Sequence, residues 1–127
     1  MNEKGCGGES LLERSRNLAL EIGNILYNKK ATDVVILDVH DLTVISDYFV
    51  IASGQSETQV VALYEEIRKQ LEEQGMDIKH LDGVRSRRWI VIDYGDVIVH
   101  IFHHEERKFY NLERLWADAE PLLIDTI

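Results

Sequence analysis

The spacing of apolar residues predicts two long amphipathic helices. The apolar positions of the first share one helical face and are Leu11, Leu18, Ile22, Ile25 and Leu26. Those of the second are Val60, Leu63, Tyr64, Ile67 and Leu71. Each helix opens on a capping-box pattern, Ser10 with Glu13 and Ser56 with Gln59. The first helix is expected to end near Asn28. The second is expected to end before Gly75, because glycine is common at the position that follows a helix.

Short apolar runs rich in β-branched residues predict strands at 34–37, 47–53, 89–93 and 96–103. The run at 47–53 is apolar on both faces, which indicates a central strand. A further short strand is considered at 78–81. A last amphipathic helix is predicted over 105–116, with the apolar stripe Phe109, Leu112, Leu115 and Trp116, and Pro121 limits its continuation.

The last two strands are predicted to form a hairpin with Tyr94 and Gly95 as a two-residue loop. That register pairs Asp93 with Asp96, Val91 with Ile98 and Trp89 with His100 on one face of the sheet. The opposite face is uniformly aliphatic (Ile90, Ile92, Val97, Val99 and Ile101), and we expect it to lie under the helices. Trp89 is then either ordinary core or part of an interface, and the pattern alone favours neither.

The chain has the length of one domain: 127 residues, of which 45% are hydrophobic and 29% charged. We expect a flexible N-terminal arm over 1–9, a folded domain over 10–117 and a C-terminal tail over 118–127. No apolar run is long enough for a membrane span, and we expect no secretory leader. The single cysteine, Cys6, excludes an intrachain disulfide. These features predict a cytoplasmic protein.

The net charge of −9 disfavours a general nucleic-acid binder and favours neutral or basic partners.

The sequence offers few candidate catalytic or metal-binding residues. His100 and His103 point to opposite faces of a strand, so a metal site is not predicted. Asp93 and Asp96 flank a glycine turn, where acids are common for conformational reasons. The turn at 53–56 has a place suited to phosphate but lacks a P-loop or a Gly-x-Gly-x-x-Gly fingerprint.

Three segments together resemble the ribosomal silencing factor family, also called Iojap or RsfS. They are DYFVIASGQS (47–56), WIVIDYGDVIVHIF (89–102) and ERKFYNLERLW (106–116), and KKATDVVILDV (29–39) also fits. The resemblance covers about residues 11–117. It implies an α/β fold: a single-domain mixed β-sheet with packed helices and nucleotidyltransferase-like topology without the catalytic metal site, since no Asp-x-Asp pair occurs on the strand that would carry it.

The resemblance implies a translation repressor that is not an enzyme and needs no cofactor. Such a protein binds the large ribosomal subunit through the ribosomal protein numbered fourteen and sterically blocks joining of the small subunit under nutrient limitation. Family dimers imply that a homodimer also forms. Family binding residues match Trp89, Asp93 and Tyr110, and further Asp82, Asp96 and Leu112.

One departure from the family pattern is a basic cluster after the Asp82-Gly83 pair, formed by Arg85, Arg87 and Arg88. This cluster raises the prospect of a minor contact with ribosomal RNA. Two other functions stay open. One is a nucleotide-binding or phosphoryl-transfer enzyme that uses residues 53–56 with Asp93 and Asp96, and the other is a plain dimerisation module.

Overall fold

The computed structural model describes residues 10–110 and 120–122. In these residues the order of elements is α1 (Leu11–Asn28), β1 (Thr32–Asp38), β2 (Tyr48–Gly54), α2 (Glu57–Glu73), β3 (His80–Asp82), β4 (Trp89–Asp93), β5 (Val97–His103), α3 (His104–Tyr110) and β6 (Glu120–Leu122). The predicted arm over 1–9 lies outside the described residues.

The first helix begins as the sequence predicts. The Ser10 hydroxyl accepts from the Glu13 amide at 3.1 Å, and the Glu13 carboxylate accepts from the Ser10 amide at 3.2 Å, which completes the capping box. Ile22, Ile25 and Leu26 are buried as predicted, but Leu11 is 72% exposed. The inward placement of Leu11 was wrong, since the buried face of the helix starts only at Ser15, one turn later.

The second helix has the predicted inner face, with Val60, Leu63, Tyr64, Ile67 and Leu71 all buried. Its cap is only half of the predicted box. The Ser56 hydroxyl accepts from the Gln59 amide, but the Gln59 side chain accepts from the Gln55 amide instead of the Ser56 amide. The helix ends before Gly75, whose φ of +82° is the left-handed conformation typical of a residue after a helix.

The strands of the described residues form one mixed sheet in the order β3-β4-β5-β2-β1-β6. The β2–β5 pair is parallel and the other pairs are antiparallel. Every residue of β2 is buried, which confirms the predicted central strand. Two details were not predicted. The short strand β3 lies at 80–82 instead of 78–81, and β6 brings residues of the predicted tail to the edge of the sheet, where Pro121 is tolerated.

The β4–β5 hairpin has a different register from the predicted one. Its loop consists of Gly95 and Asp96, since the Tyr94 amide donates to the Val97 carbonyl at 2.9 Å. Gly95 has a φ of +96° and occupies the first loop position, as a type II′ turn requires, whereas we had placed glycine second in a type I′ turn. Trp89 is therefore opposite Phe102 and not His100, and Asp93 is opposite Ile98 and not Asp96.

The two faces of the sheet are nevertheless those predicted, because the register moved by an even number of residues. The aliphatic face of β4 and β5 packs against α1 and α2 in the main core, which contains Ile90, Ile92, Val97, Val99 and Ile101. The opposite face carries a second apolar cluster: Leu37, Val39, Phe49, Ile51, Ile98 and Phe102, with Trp89 packed against it. Trp89 thus lies on the sheet face that is turned away from both long helices.

Candidate protein-binding surface

The sheet places three of the predicted binding residues on one face. Asp82 is paired with Val91 across β3 and β4, and side chains of directly paired residues point to the same side. Trp89, Val91 and Asp93 alternate along β4 and therefore share that side. We call the side formed by Asp82, Trp89, Val91 and Asp93 the tryptophan face. Asp82 is exposed and the other three are partly exposed.

Two contacts fix the orientation of the Trp89 side chain, a ring stack and a hydrogen bond. The indole stacks on Phe102, with ring centroids 4.8 Å apart and planes inclined by 26°. Its N–H donates to Nδ1 of His100 at 3.1 Å. Trp89 therefore combines a satisfied polar atom, as a core residue would have, with the partial exposure that an interface anchor needs.

His100 serves this arrangement as a neutral acceptor. It is buried, and its ring lies edge-to-face with that of Phe49, with ring centroids 5.4 Å apart. Burial lowers its pKa to about 4. Because Nδ1 accepts a hydrogen bond from the Trp89 N–H, the proton of the neutral imidazole resides on Nε2. The sequence pointed to His100 as a satisfied, partly buried histidine, but not to its bond with Trp89, which depends on the register.

Gly83 fixes the position at which β4 begins. It has a φ of +86°, and a Cβ there would lie 1.9 Å from the carbonyl oxygen of Trp89. The carbonyl of Gly83 also accepts from the Arg87 amide and the Ser86 hydroxyl, closing the turn that leads to Trp89. The close backbone approach explains why glycine follows Asp82, a requirement that sequence reasoning missed.

Asp93 and Asp96 do not form the facing pair that was predicted. The carboxylate of Asp93 accepts from the Gly95 amide at 2.6 Å, while Asp96 lies in the loop with an exposed side chain. The carbonyl of Asp96 accepts from the Asp47 and Tyr48 amides and from the Ser46 hydroxyl. This turn is therefore tied to the segment before β2, and its geometry accounts for an acid at Asp93, whereas Asp96 contributes only its backbone carbonyl.

The basic cluster is divided by the fold. Arg88 contacts Glu57, Glu105 and Glu106 at 3.4, 3.0 and 3.2 Å, so its charge is matched within the protein. Its hydrogen bond to Glu105 is the main reason that its pKa is raised. Arg85 and Arg87 are exposed.

The candidate phosphate turn is engaged in a structural contact. Ser53 is buried, and its hydroxyl accepts from the Arg107 guanidinium at 3.0 Å. Arg107 also donates to the carbonyl of Asp33, which joins α3 to the irregular start of β1. The Ser53 hydroxyl therefore acts in packing α3 on the sheet.

The other candidate residues are placed less completely. Tyr110 ends α3, which follows β5 directly. Leu112 lies outside the described residues, as does the rest of the predicted helix beyond Tyr110.

The histidines after β5 do not form a metal site with other described residues. His103 stacks on His104 with ring centroids 4.6 Å apart. Within residues 10–110 and 120–122, no three His, Cys, Asp or Glu side chains are grouped so that they could bind a metal ion. No helix of this described part has the length and apolarity to cross a bilayer.

Comparison with known proteins gives a consistent result. Residues 12–127 match the family model described as ribosomal silencing factor during starvation. The ribosomal silencing factor RsfS of Halalkalibacterium halodurans is 45% identical over 104 residues, which are 82% of this chain and 89% of that protein. RsfS of Bacillus subtilis is 45% identical over 92 residues, 72% of this chain and 78% of that protein.

Two solved structures have the same fold. A protein from Chromobacterium violaceum has a TM-score of 0.75 at 33% identity, covering 85% of this chain and 88% of its own. A protein from Bacillus halodurans has a TM-score of 0.72 at 40% identity, covering 87% of this chain and 98% of its own. The chain therefore belongs to the ribosomal silencing factor family, whose role is to regulate translation in association with the ribosome.

Proposed function

We propose that this protein represses translation by binding the large ribosomal subunit through the ribosomal protein numbered fourteen and sterically blocking the small subunit. Membership of the silencing-factor family supports a role on the ribosome. The observation that carries the proposal is the placement of Asp82, Trp89 and Asp93 on one sheet face. Tyr110, Asp96 and Leu112 complete the proposed contact, and the protein acts in the cytoplasm.

The chemistry of the tryptophan face suits a basic protein partner. A partly exposed tryptophan with its N–H satisfied internally offers apolar area without leaving a polar atom unpaired on binding. Acids on the same face suit the Lys and Arg side chains that proteins in contact with ribosomal RNA carry. The net charge of −9 supports a protein contact over an extensive RNA contact.

We propose that the action is steric and not catalytic, and that no cofactor takes part. The hydroxyl of Ser53 is bonded to Arg107, and the carboxylate of Asp93 is bonded to the turn amide of Gly95. Both hydrogen bonds serve the fold, which supports a steric action over phosphoryl transfer, the alternative that the sequence left open. The nucleotidyltransferase-like topology stays a prediction, and so does a homodimer.

Co-sedimentation with purified large subunits, small subunits and joined ribosomes tests the proposal. We expect binding to free large subunits, and a fall in both subunit joining and cell-free translation when the protein is added. Binding should withstand a chelator and should not require ATP. Equal binding to joined ribosomes, or subunit joining at the normal rate with the protein bound, would overturn the steric mechanism.

A further inference from the structure

Arg88 lies at the point where β4, β5 and α3 meet. It directly precedes Trp89, and its carbonyl accepts from the His103 amide at 2.8 Å. His103 is the last residue of β5, and α3 begins at the next residue. The backbone of Arg88 therefore aligns the start of the strand that carries Trp89 with the start of the helix that carries Tyr110.

The side chain of Arg88 extends from the start of β4 to two helices. Its Nε and Nη2 donate to one oxygen of Glu106 at 3.3 and 3.2 Å, and Nη2 also donates to Glu105 at 3.0 Å. Its Nη1 donates to Glu57, the first residue of α2, at 3.4 Å. The hydrogen bond from Arg88 lowers the pKa of Glu105. A guanidinium can serve several carboxylates at once, because its donors lie in a fixed planar fork.

These contacts set the orientation of α3 more than they stabilise the domain. The Arg88 side chain is 34% exposed, and those of Glu105 and Glu106 are 64% and 27% exposed, so solvent screens the attraction. The helix has only seven residues and is too short to be stable by itself, so its contacts with the sheet fix its direction. Arg107 attaches it to the Ser53 hydroxyl on β2, and Arg88 attaches its first turn to β4.

Trp89 and Tyr110 are proposed to contact one partner, although they belong to different elements. Two anchors on separate elements bind a rigid partner best when their relative placement is fixed before binding. Glu106 lies about one helical turn before Tyr110 and accepts two hydrogen bonds from the residue next to Trp89. Arg88 thus links the two elements through both its backbone and its side chain.

We propose that Arg88 is a positioning residue for the ribosomal contact, which holds the helix of Tyr110 in place relative to the strand of Trp89. It acts through Glu105 and Glu106 and does not bind the partner itself, since its charge is matched within the protein. The inference rests on the proposed function, in which Trp89 and Tyr110 are anchors. It replaces, for this arginine, the contact with ribosomal RNA that the sequence raised.

A double-mutant cycle in large-subunit binding tests the assignment. It compares the parent, Arg88→Gln, Tyr110→Ala and the variant with both changes. We expect Arg88→Gln alone to weaken binding about tenfold, and to weaken it much less when residue 110 is already alanine, since no tyrosine is then left to position. An equal loss in the two backgrounds, or no loss in either, would overturn the proposal.

Removing the carboxylates instead of the arginine gives an independent variant, which decides the question if Arg88→Gln fails to fold. Glu105→Gln/Glu106→Gln keeps the Arg88 charge but removes its ion pairs with α3, so we expect the same loss of affinity and the same dependence on Tyr110. Parental or tighter binding by this variant would show that Arg88 does not act through α3. Arg88→Lys keeps the charge without the fork and should have an intermediate affinity.

Arg68→Gln is the matched control. The Arg68 side chain is 39% exposed and pairs with Glu72 at 3.3 Å, but that ion pair lies within α2 alone. The control should bind as the parent does, with circular dichroism measured on every variant at the assay temperature to confirm folding. Failure of the parent to bind large subunits would refute the proposed function. A parent that binds, with no coupling between Arg88 and Tyr110, would refute only the positioning role.

Discussion

The indole N–H of Trp89 donates to Nδ1 of His100 at 3.1 Å, although the two residues are diagonal neighbours on β4 and β5 and not a direct pair. The direct partners are Phe102 for Trp89 and Val91 for His100. The diagonal bond requires an unprotonated Nδ1, which burial favours by lowering the pKa of His100 to about 4. The orientation of the partly exposed Trp89 is thus linked to the protonation state of the buried His100.

This link predicts that the free energy of unfolding falls as pH decreases from about 6.5 to about 4. In that window the unfolded chain, whose histidine has a pKa of 6.5, binds a proton that the folded chain excludes. The stability that neutral His100 contributes is therefore complete above pH 6.5 and decreases as pH falls towards 4. At pH 4.5 the loss should be about 2 kcal/mol, measured by urea unfolding.

A His100→Gln variant is the control for this pH dependence, because carboxylates also titrate at low pH. Glutamine keeps an acceptor for the indole but does not titrate. Between pH 7 and 4.5 the variant should lose about 2 kcal/mol less than the parent. Identical pH dependence of the two proteins would show that His100 is not the group responsible.

Two glycines with nearly equal φ values predict very different costs of substitution. Gly75 has a φ of +82° with no atom within 4 Å of an added Cβ, so Gly75→Ala should cost about 1 kcal/mol of stability from backbone strain alone. Gly83 has a φ of +86°, and an added Cβ would meet the Trp89 carbonyl at 1.9 Å. Gly83→Ala must displace the start of β4, so it should cost roughly 3 kcal/mol or more. Urea unfolding of both variants measures the difference, and equal costs would contradict the close approach.

The elements that the sequence predicts well are those with local causes. The bounds of α1 follow from the Ser10–Glu13 cap and a helical apolar period, both contained within the helix. The tryptophan face was predictable for a similar reason, since alternation along β4 and β5 does not depend on the register as long as it shifts by an even number. Asp82 joins that face through β3, whose position at 80–82 the sequence did not predict.

The features that were missed depend on distant partners. The hairpin register depends on whether Gly95 takes the first or second loop position, and the chain pattern allows both. Arg88 is matched by acids 17, 18 and 31 residues away, so sequence proximity grouped it wrongly with Arg85 and Arg87. The strand β6 is stabilised by pairing with β1, more than 80 positions earlier. Its central residue is a proline, which the sequence pattern does not associate with a strand.

The divided basic cluster predicts different effects for its members. Arg88→Gln leaves Glu57, Glu105 and Glu106 without their shared counter-charge and should lower the melting temperature. Arg85→Gln and Arg87→Gln should leave it unchanged, because both side chains are exposed. Thermal unfolding followed by circular dichroism makes the comparison, and high salt should reduce the difference. If the Arg88 variant melted at the parental temperature, the ion pairs would have no stabilising role.

Charge reversal at Arg85 and Arg87 tests the RNA contact separately. If these side chains touch phosphates, the double reversal should weaken large-subunit binding and reduce the salt dependence of the affinity. If they do not, the salt dependence should be that of the parent. Since the acidic surface around Asp82 dominates the same region, we expect at most a modest effect on affinity, measured by co-sedimentation over a series of salt concentrations.

The final prediction concerns Trp89 as an anchor for the ribosomal partner. Trp89→Ala removes the ring that stacks on Phe102 and bonds His100, so it should cost some stability, yet the domain should remain folded because the main core on the other sheet face is untouched. A central aromatic anchor contributes on the order of 2–4 kcal/mol to binding, or roughly 30- to 1,000-fold in affinity.

Two variants serve as controls. Trp89→Phe should retain the stack on Phe102, and its affinity should lie between those of the parent and the alanine variant. Tyr27→Ala removes an exposed aromatic ring far along α1 and should bind as the parent does. Binding to large subunits and the melting temperature are measured on the same preparations. A folded Trp89→Ala protein with parental affinity would show that the tryptophan face is not the ribosomal contact, and an unfolded one would show that Trp89 is principally a core residue.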